Sequence, residues 1–406
     1  MKKSLVLMAM AGVALASCVN DVADVAQNQE QKKVKITFDS PVVYDNNAGS
    51  RATVFGEIGP NKVGGNTYTY PGEESFKIFA VQYKGDYPGW SAGKAVEFNG
   101  DDLVYDSQVD GWAPKKDGRY YYWPDGEKMA FAAVSPADLT VEGQTGVNVG
   151  VEPQYTAAGL KIENFRVMPE SAKQYDLMFS RRIVDQTPEK MNHGADAYSG
   201  IPIEFQHALS SIRFSVQNTS TAEVIITKIE LWGVKDIGTF TEIIDPDNGT
   251  YIRGEGGNVT AGWSGQKASS EGLVYHAFNG SIKAPYEAQY ISVLLDTTHQ
   301  GYQSYNTGTF HQLLLLPQAI GENIKAYVEY TIDGVLNTKT VDLKDALKIA
   351  TAGADDVTGD KLTAWEMGYR YTYRLWYSEN SADKDRIYFA PSSEGWRDAG
   401  AYRIEL

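Results

Sequence analysis

Apolar side chains recur at every second position through much of this chain, the period of a strand with one buried face. Phe76-Lys77-Ile78-Phe79-Ala80-Val81-Gln82-Tyr83 reads as one strand, and residues 119–124, 129–134 and 174–179 read as three more. The run 119–124 ends at Pro124. In the second half, residues 201–216 predict two strands around a short break, and 224–234, 289–296, 326–332, 365–375, 386–391 and 401–406 continue the pattern. Residues 310–317 (FHQLLLLP) are apolar almost throughout and predict a central strand. A short helix is expected over 342–349, with Leu343, Ala346 and Leu347 on one side.

Between these runs, glycine-, aspartate- and proline-containing stretches at 85–93 and 143–159 read as surface loops. The polar run 185–200 reads as a boundary between an N-terminal unit over 52–200 and a C-terminal unit over 201–406. The expected fold is therefore mainly β, two sandwich-like domains with little helix. With 26 Tyr, 39 Gly and 8 Trp in 406 residues, the composition favours strands and turns in the same way.

The first fifty residues follow a different pattern. Lys2 and Lys3 precede an apolar run over 5–15 that is too short to span a bilayer, and Ala16-Ser17 supplies small residues before Cys18. Residues 1–17 thus read as an export signal. Cys18 is the chain's single cysteine, so it cannot form an internal disulfide. Residues 19–32 are polar and read as a tether. Then Lys33-Val34-Lys35-Ile36-Thr37-Phe38 alternates cleanly, with Val34, Ile36 and Phe38 on one face. Burying those three side chains contributes about 5–8 kcal/mol as an upper bound, comparable with the net stability of a domain. The small-residue stretch 45–50 and Arg51-Ala52 follow, an exposed segment of the kind proteases cut. If the chain is anchored at Cys18 and cut at Arg51, residues 18–51 are a removable segment of the fold.

The formal net charge of -15 argues against nucleic acid and against electrostatic docking on anionic lipid. Catalytic and metal constellations do not assemble. His193, His207, His276, His299 and His311 stand singly, no Gly-x-Ser-x-Gly elbow occurs, and the only Cys, Cys18, is taken by the anchor. Asp245 to Gly249 starts like a calcium loop but reads as a turn, and residues 254–259 lack the last glycine of a dinucleotide loop. No enzyme activity, metal or cofactor is expected. In the aromatic clusters at 120–123 and at Tyr369, Tyr371 and Tyr373, alternation sends half the rings to the core. Trp90 and Trp112, read as loop residues, are the better candidates for stacking on a sugar. Arg181-Arg182 is a second basic site, expected to be shielded by the strand before it.

Several separated phrases resemble the fimbrillin family, the lipoprotein precursors of type V pili. They are the lipobox ending at Cys18, the strand and arginine over 34–51, Tyr121-Tyr122-Trp123-Pro124 with Met129-Ala130-Phe131, and Tyr175-Asp176-Leu177-Met178. In the second half they are Phe205-Gln206-His207-Ala208-Leu209, Leu314-Leu315-Leu316-Pro317-Gln318, and Trp365-Glu366-Met367-Gly368-Tyr369. The resemblance implies two transthyretin-like β-sandwiches and export to the outer membrane as a lipoprotein lipidated on Cys18. It also implies cleavage between Arg51 and Ala52 by an Arg-specific protease, with withdrawal of Val34, Ile36 and Phe38. A strand from another pilin subunit would then fill the groove, building a fimbrium that supports adhesion to a host or microbial surface glycan or protein. Tyr402, Ile404 and Leu406 alternate like a donor strand. If they are locked into their own domain, a tip or accessory subunit fits better than a shaft subunit. The alternative is a surface lipoprotein that binds glycan through Trp90 and Trp112 and does not polymerise.

Overall fold

A computed structural model describes residues 34–38, 41–43, 61–63, 67–69, 75–96, 100–106, 111–115, 120–139, 152–156, 159–170, 173–180, 182–191, 200–218, 220–242, 262–284, 293–294, 307–310, 313–345, 347–349, 357–377, 386–387 and 397–405. The fold is mainly β, built from antiparallel sheets with a few parallel pairings.

The sheet of the N-terminal half follows the path Val42–Val43, Glu204–His207, Met178–Ser180, Lys128–Ser135, Phe76–Tyr83, Asp101–Asp106 and Gly111–Pro114. Its two central strands are apolar on both faces. Phe76, Ile78 and Ala80, with Met129, Phe131 and Ala133, point to one core. Phe79, Val81 and Tyr83, with Ala130, Ala132 and Val134, point to another. Strict alternation thus divides one sheet between two cores. The first takes in Ile201, Ile203 and Phe205 from just beyond position 200, whereas the second continues deep into the C-terminal half through Ile212, Phe214, Leu231 and Tyr373.

Pairing also crosses position 200. Glu204–His207 lies on Met178–Ser180, and Gly159–Arg166 lies on Ile237–Thr241. Beyond these, an eight-stranded sheet is centred on Ser210–Asn218, Tyr369–Tyr377 and Arg397–Glu405, and a five-stranded sheet on Val224–Trp232. The five-stranded sheet ends in the hairpin Lys325–Ile332 and Val335–Asp342, paired along its full length. Asp333 and Gly334 both take positive φ in its turn, 49° and 81°, as a two-residue type I′ turn requires.

Among the described residues, the structure departs from the expected elements at several places: the strand expected over 174–179 starts only at Met178, and Gln154–Thr156, expected in a loop, is a strand. Residues 342–349 are no helix but a single 3-10 turn, Leu343–Asp345, followed by the strand Leu347–Ile349. Leu343 is fully buried and donates its N–H to the Ile324 carbonyl, and Leu347–Ile349 pairs with strands on both sides. Tertiary pairing therefore overrides the local helical spacing. Among the described residues the apolar run 310–317 gives no central strand, because Leu313–Leu315 pairs there only with Ser210–Asn218. Its leucines are apolar because packing buries Leu313 to Leu316 completely or nearly so. Residues 120–124 form no regular strand either, only an isolated bridge at Tyr122.

Candidate functional site

The segment around Ile36 lies between the two ends of the N-terminal sheet. Phe38 bridges to Trp112, in the strand at one end of the path, in antiparallel fashion. It also bridges in parallel to Ile201, three residues before Glu204–His207, the strand next to Val42–Val43 at the other end of the path. Val42–Val43 then extends the parallel pairing onto Glu204 and Phe205. The segment thereby closes the sheet into a ring, and no open edge is left at Phe38.

Among the described residues, four backbone hydrogen bonds hold residues 34–38. The Ile36 N–H donates to the Tyr121 carbonyl at 2.8 Å, and the Trp123 N–H donates to the Val34 carbonyl at 3.0 Å. Trp112 donates to the Phe38 carbonyl at 3.1 Å, and on the opposite side Ile201 donates to the Thr37 carbonyl at 2.8 Å.

Ile36 and Phe38 are 2% and 1% exposed and belong to the core enclosed by this ring. The Phe38 ring meets Phe131 edge-on at 5.5 Å, and Trp123 meets Phe131 from another side at 6.1 Å. Phe76 links Trp112, at 5.2 Å, to Phe205, at 5.6 Å. Outside, the Lys35 ammonium sits 3.6 Å from the centre of the Tyr120 ring, whose hydroxyl donates to Asp106. The two buried side chains contribute about 3–6 kcal/mol as area bookkeeping, an upper bound.

Val34 is less buried than Ile36 and Phe38. It is 41% exposed, because it stands at the end of the pairing and outside the enclosed core. Cys18, Arg51, Ala52 and Leu406 lie outside the described residues.

The C-terminal strand Arg397–Glu405, which holds Tyr402 and Ile404, is paired within its own sheet. It runs antiparallel to Leu347–Ile349 and Arg386–Ile387 and parallel to Tyr369–Tyr377. Tyr402 is opposite Lys348 on one side and Tyr373 on the other.

The two tryptophans singled out for sugar stacking are not loop-surface residues. Trp112 belongs to the strand Gly111–Pro114, and its indole is buried against Phe76. Trp90 is buried in a 3-10 turn beneath the guanidinium of Arg182. Arg182 is itself buried, donating to the Tyr87 hydroxyl and facing Glu242 at 3.8 Å. His207 is a core histidine whose Nδ1 lies 2.9 Å from an Asp176 carboxylate oxygen. Among the described residues no cluster of three or more His, Cys, Asp or Glu could hold a metal ion, and no helix is long and apolar enough to cross a membrane.

Sequence reasoning found the inserted segment but missed the residues that receive it. Trp112 looked like a loop residue between Gly111 and Pro114, yet a proline closing a short run is also the mark of an edge strand, and this strand ends the sheet path. Ile201 and Phe205 carried no signal beyond strand character, since their role depends on a partner far away in sequence.

A fimbrial protein from Bacteroides vulgatus has a similar structure over 75% of this chain and 89% of its own, at 16% identity and a TM-score of 0.43. A Bacteroides ovatus protein assigned to cell adhesion is similar over 86% of this chain and 93% of its own, at 14% identity and a TM-score of 0.43. One from Bacteroides uniformis with the same assignment is similar over 86% and 94%, at 13% identity and a TM-score of 0.39. No curated protein matches the sequence. The sequence model of the fimbrillin-like family matches residues 72–387, well over half of the chain, and the protein therefore belongs to that family.

Proposed function

We propose that the protein is the precursor of a cell-surface fimbrial subunit that acts by strand exchange and without catalysis. It is exported as an outer-membrane lipoprotein anchored through Cys18, and an Arg-specific protease cuts it between Arg51 and Ala52. Residues 18–51 then leave, taking Ile36, Phe38 and the Val42–Val43 strand out of the sheet, and a strand from another subunit replaces them. An apolar groove between two unpaired edges is a template for strand addition, and repeated addition makes a filament.

The observation that carries this reading is the double pairing of Phe38, which makes the segment the closing piece of the sheet although it lies N-terminal to the expected cut. The self-paired C-terminal strand favours a tip or accessory subunit over a shaft subunit, because a strand held on both sides is not a free donor arm. Adhesion through such a subunit fits the cell-adhesion assignment of the similar structures.

Treating the full-length precursor with an Arg-specific protease tests the reading. A new N-terminus at Ala52 and release of the anchored segment are expected, and Arg51→Ala should abolish both without unfolding the precursor. Cleavage elsewhere, or equal release from the R51A precursor, overturns it.

A further inference from the structure

We infer that the gap filled by residues 34–38 reads both the polarity and the side-chain order of its occupant. It accepts an extended segment running in the direction of residues 201–205, with an aliphatic side chain followed two positions later by an aromatic one. The segment of another subunit that replaces residues 34–38 therefore carries its aliphatic side chain before its aromatic one, an order opposite to that of Tyr402 and Ile404 in the C-terminal strand. This inference rests on the strand-exchange reading above.

Polarity follows from the hydrogen bonds on the two sides. The edge formed by Trp112 and residues 121–123 offers the N–H groups of Trp112 and Trp123 and the carbonyl of Tyr121, spaced for an antiparallel strand. The opposite edge offers the Ile201 N–H and continues as a parallel pair at Glu204 and Phe205. Parallel and antiparallel ladders space their donors and acceptors differently, so a reversed strand mismatches both edges at once. The position of Ile36 also needs a free N–H for the Tyr121 carbonyl, which excludes proline there.

Order follows from packing. At the Phe38 position the ring fills the space beside Phe131 and is 1% exposed. An aliphatic side chain there leaves a cavity. At the Ile36 position an aliphatic side chain is already 98% enclosed, and a ring there is overpacked. The C-terminus of the chain presents Tyr402 before Ile404, the opposite order, and in the direction the gap demands it would place a phenol at the Ile36 position. That strand is also held between Leu347–Ile349 and Tyr369–Tyr377.

The test is peptide capture by the cleaved precursor. Full-length protein is cut with an Arg-specific protease, the protease is inhibited, and fluorescent peptides are added in excess and followed by anisotropy. A peptide of residues 33–43 should be captured. The same peptide carrying Ile36→Phe with Phe38→Ile, one carrying Ile36→Pro, one of reversed sequence, and one of residues 397–406 should each bind about a hundredfold more weakly. Equal capture of all five overturns the order rule and leaves strand exchange standing. No capture of any, after the cut segment has dissociated, overturns strand exchange and the inference with it. A second measurement needs no cleavage: the intact precursor carrying Ile36→Phe and Phe38→Ile together should melt at a lower temperature than the native chain, and an unchanged midpoint overturns the order rule.

Discussion

The Phe38 ring stands edge-on to Phe131, centroids 5.5 Å apart and planes at 86°, so a segment N-terminal to the expected cleavage site packs against the central strand of the sheet. The energetic weight of the segment is therefore uneven. Phe38→Ala should destabilise the precursor by about 3–5 kcal/mol and Ile36→Ala by about 2–5 kcal/mol, as for other truncations in a closed core. Val34→Ala, at an exposed position, should change stability by less than about 0.5 kcal/mol. Urea titrations of the three variants check the ranking, and a Val34 effect as large as that of Ile36 would show that the segment packs differently.

Two glycines with nearly the same backbone separate strain from crowding. Gly334, at the hairpin turn, has φ 81°, and a Cβ there would meet nothing within 4 Å. Gly233 has φ 75°, but its Cβ would lie 1.9 Å from the backbone carbonyl oxygen of Asn323. Gly334→Ala should cost about 1–2 kcal/mol from the left-handed backbone alone. Gly233→Ala should add about 1–3 kcal/mol of overpacking to the same strain, because the obstacle is main chain and cannot rotate away. Comparing thermal midpoints of the two variants tests this, and equal losses would contradict it.

The elements legible in the sequence are those whose own packing dictates their composition. Phe76–Tyr83 is buried on both faces except at Lys77 and Gln82, so the rest of its side chains had to be apolar, and it reads as a strand from the sequence alone. Val335–Asp342 carries no such pattern, since Val335 and Leu336 are 66% and 61% exposed. It is a strand because the Asp333-Gly334 turn folds it back on Lys325–Ile332, and that dipeptide was the one available signal. The alternation at Ile36 and Phe38 gave away the inserted segment for the same reason as Phe76–Tyr83. Its receiving groove was not legible, because Trp112, Phe131, Ile201 and Phe205 come together only through pairings between distant parts of the chain. The helical spacing over 342–349 misled because the register that buries Leu343 and pairs Leu347–Ile349 is set by neighbouring strands.

The C-terminal strand yields a sharp test of its place in the fold. Deleting residues 401–406 removes the partners of Leu347, Lys348 and Ile349 on one side and of Thr372 and Tyr373 on the other. Two edges that were paired become open, with their backbone groups unsatisfied. The truncated precursor should lose more than about 2 kcal/mol of stability and become prone to aggregation. A free donor arm would instead be dispensable, leaving the unfolding midpoint unchanged.

Alkaline pH should destabilise the protein through its buried phenols. Burial pushes the Tyr275 hydroxyl well above its ordinary value of 10.0, and the nearby Asp236 charge adds to this while Arg166 opposes it. Burial likewise raises Tyr83, whose hydroxyl lies against Asp185. Below pH 10 these phenols are protonated in both folded and unfolded chains, so their contribution is fully present and independent of pH. Above pH 10 the unfolded chain releases the protons while the folded chain retains them. The unfolded state then binds fewer protons, and stability falls as pH rises, by up to about 1.4 kcal/mol per pH unit for each such group. Urea midpoints should therefore be level from pH 7 to about 9 and decline beyond pH 10. Tyr275→Phe separates this effect from general alkaline unfolding. It removes the hydroxyl that donates to the Val167 carbonyl at 3.1 Å, so it should cost about 1 kcal/mol at neutral pH. It also removes the group that titrates, so its decline above pH 10 should be shallower than that of the native chain. Parallel curves for the two proteins, separated by a constant offset, would show that Tyr275 does not drive the alkaline loss.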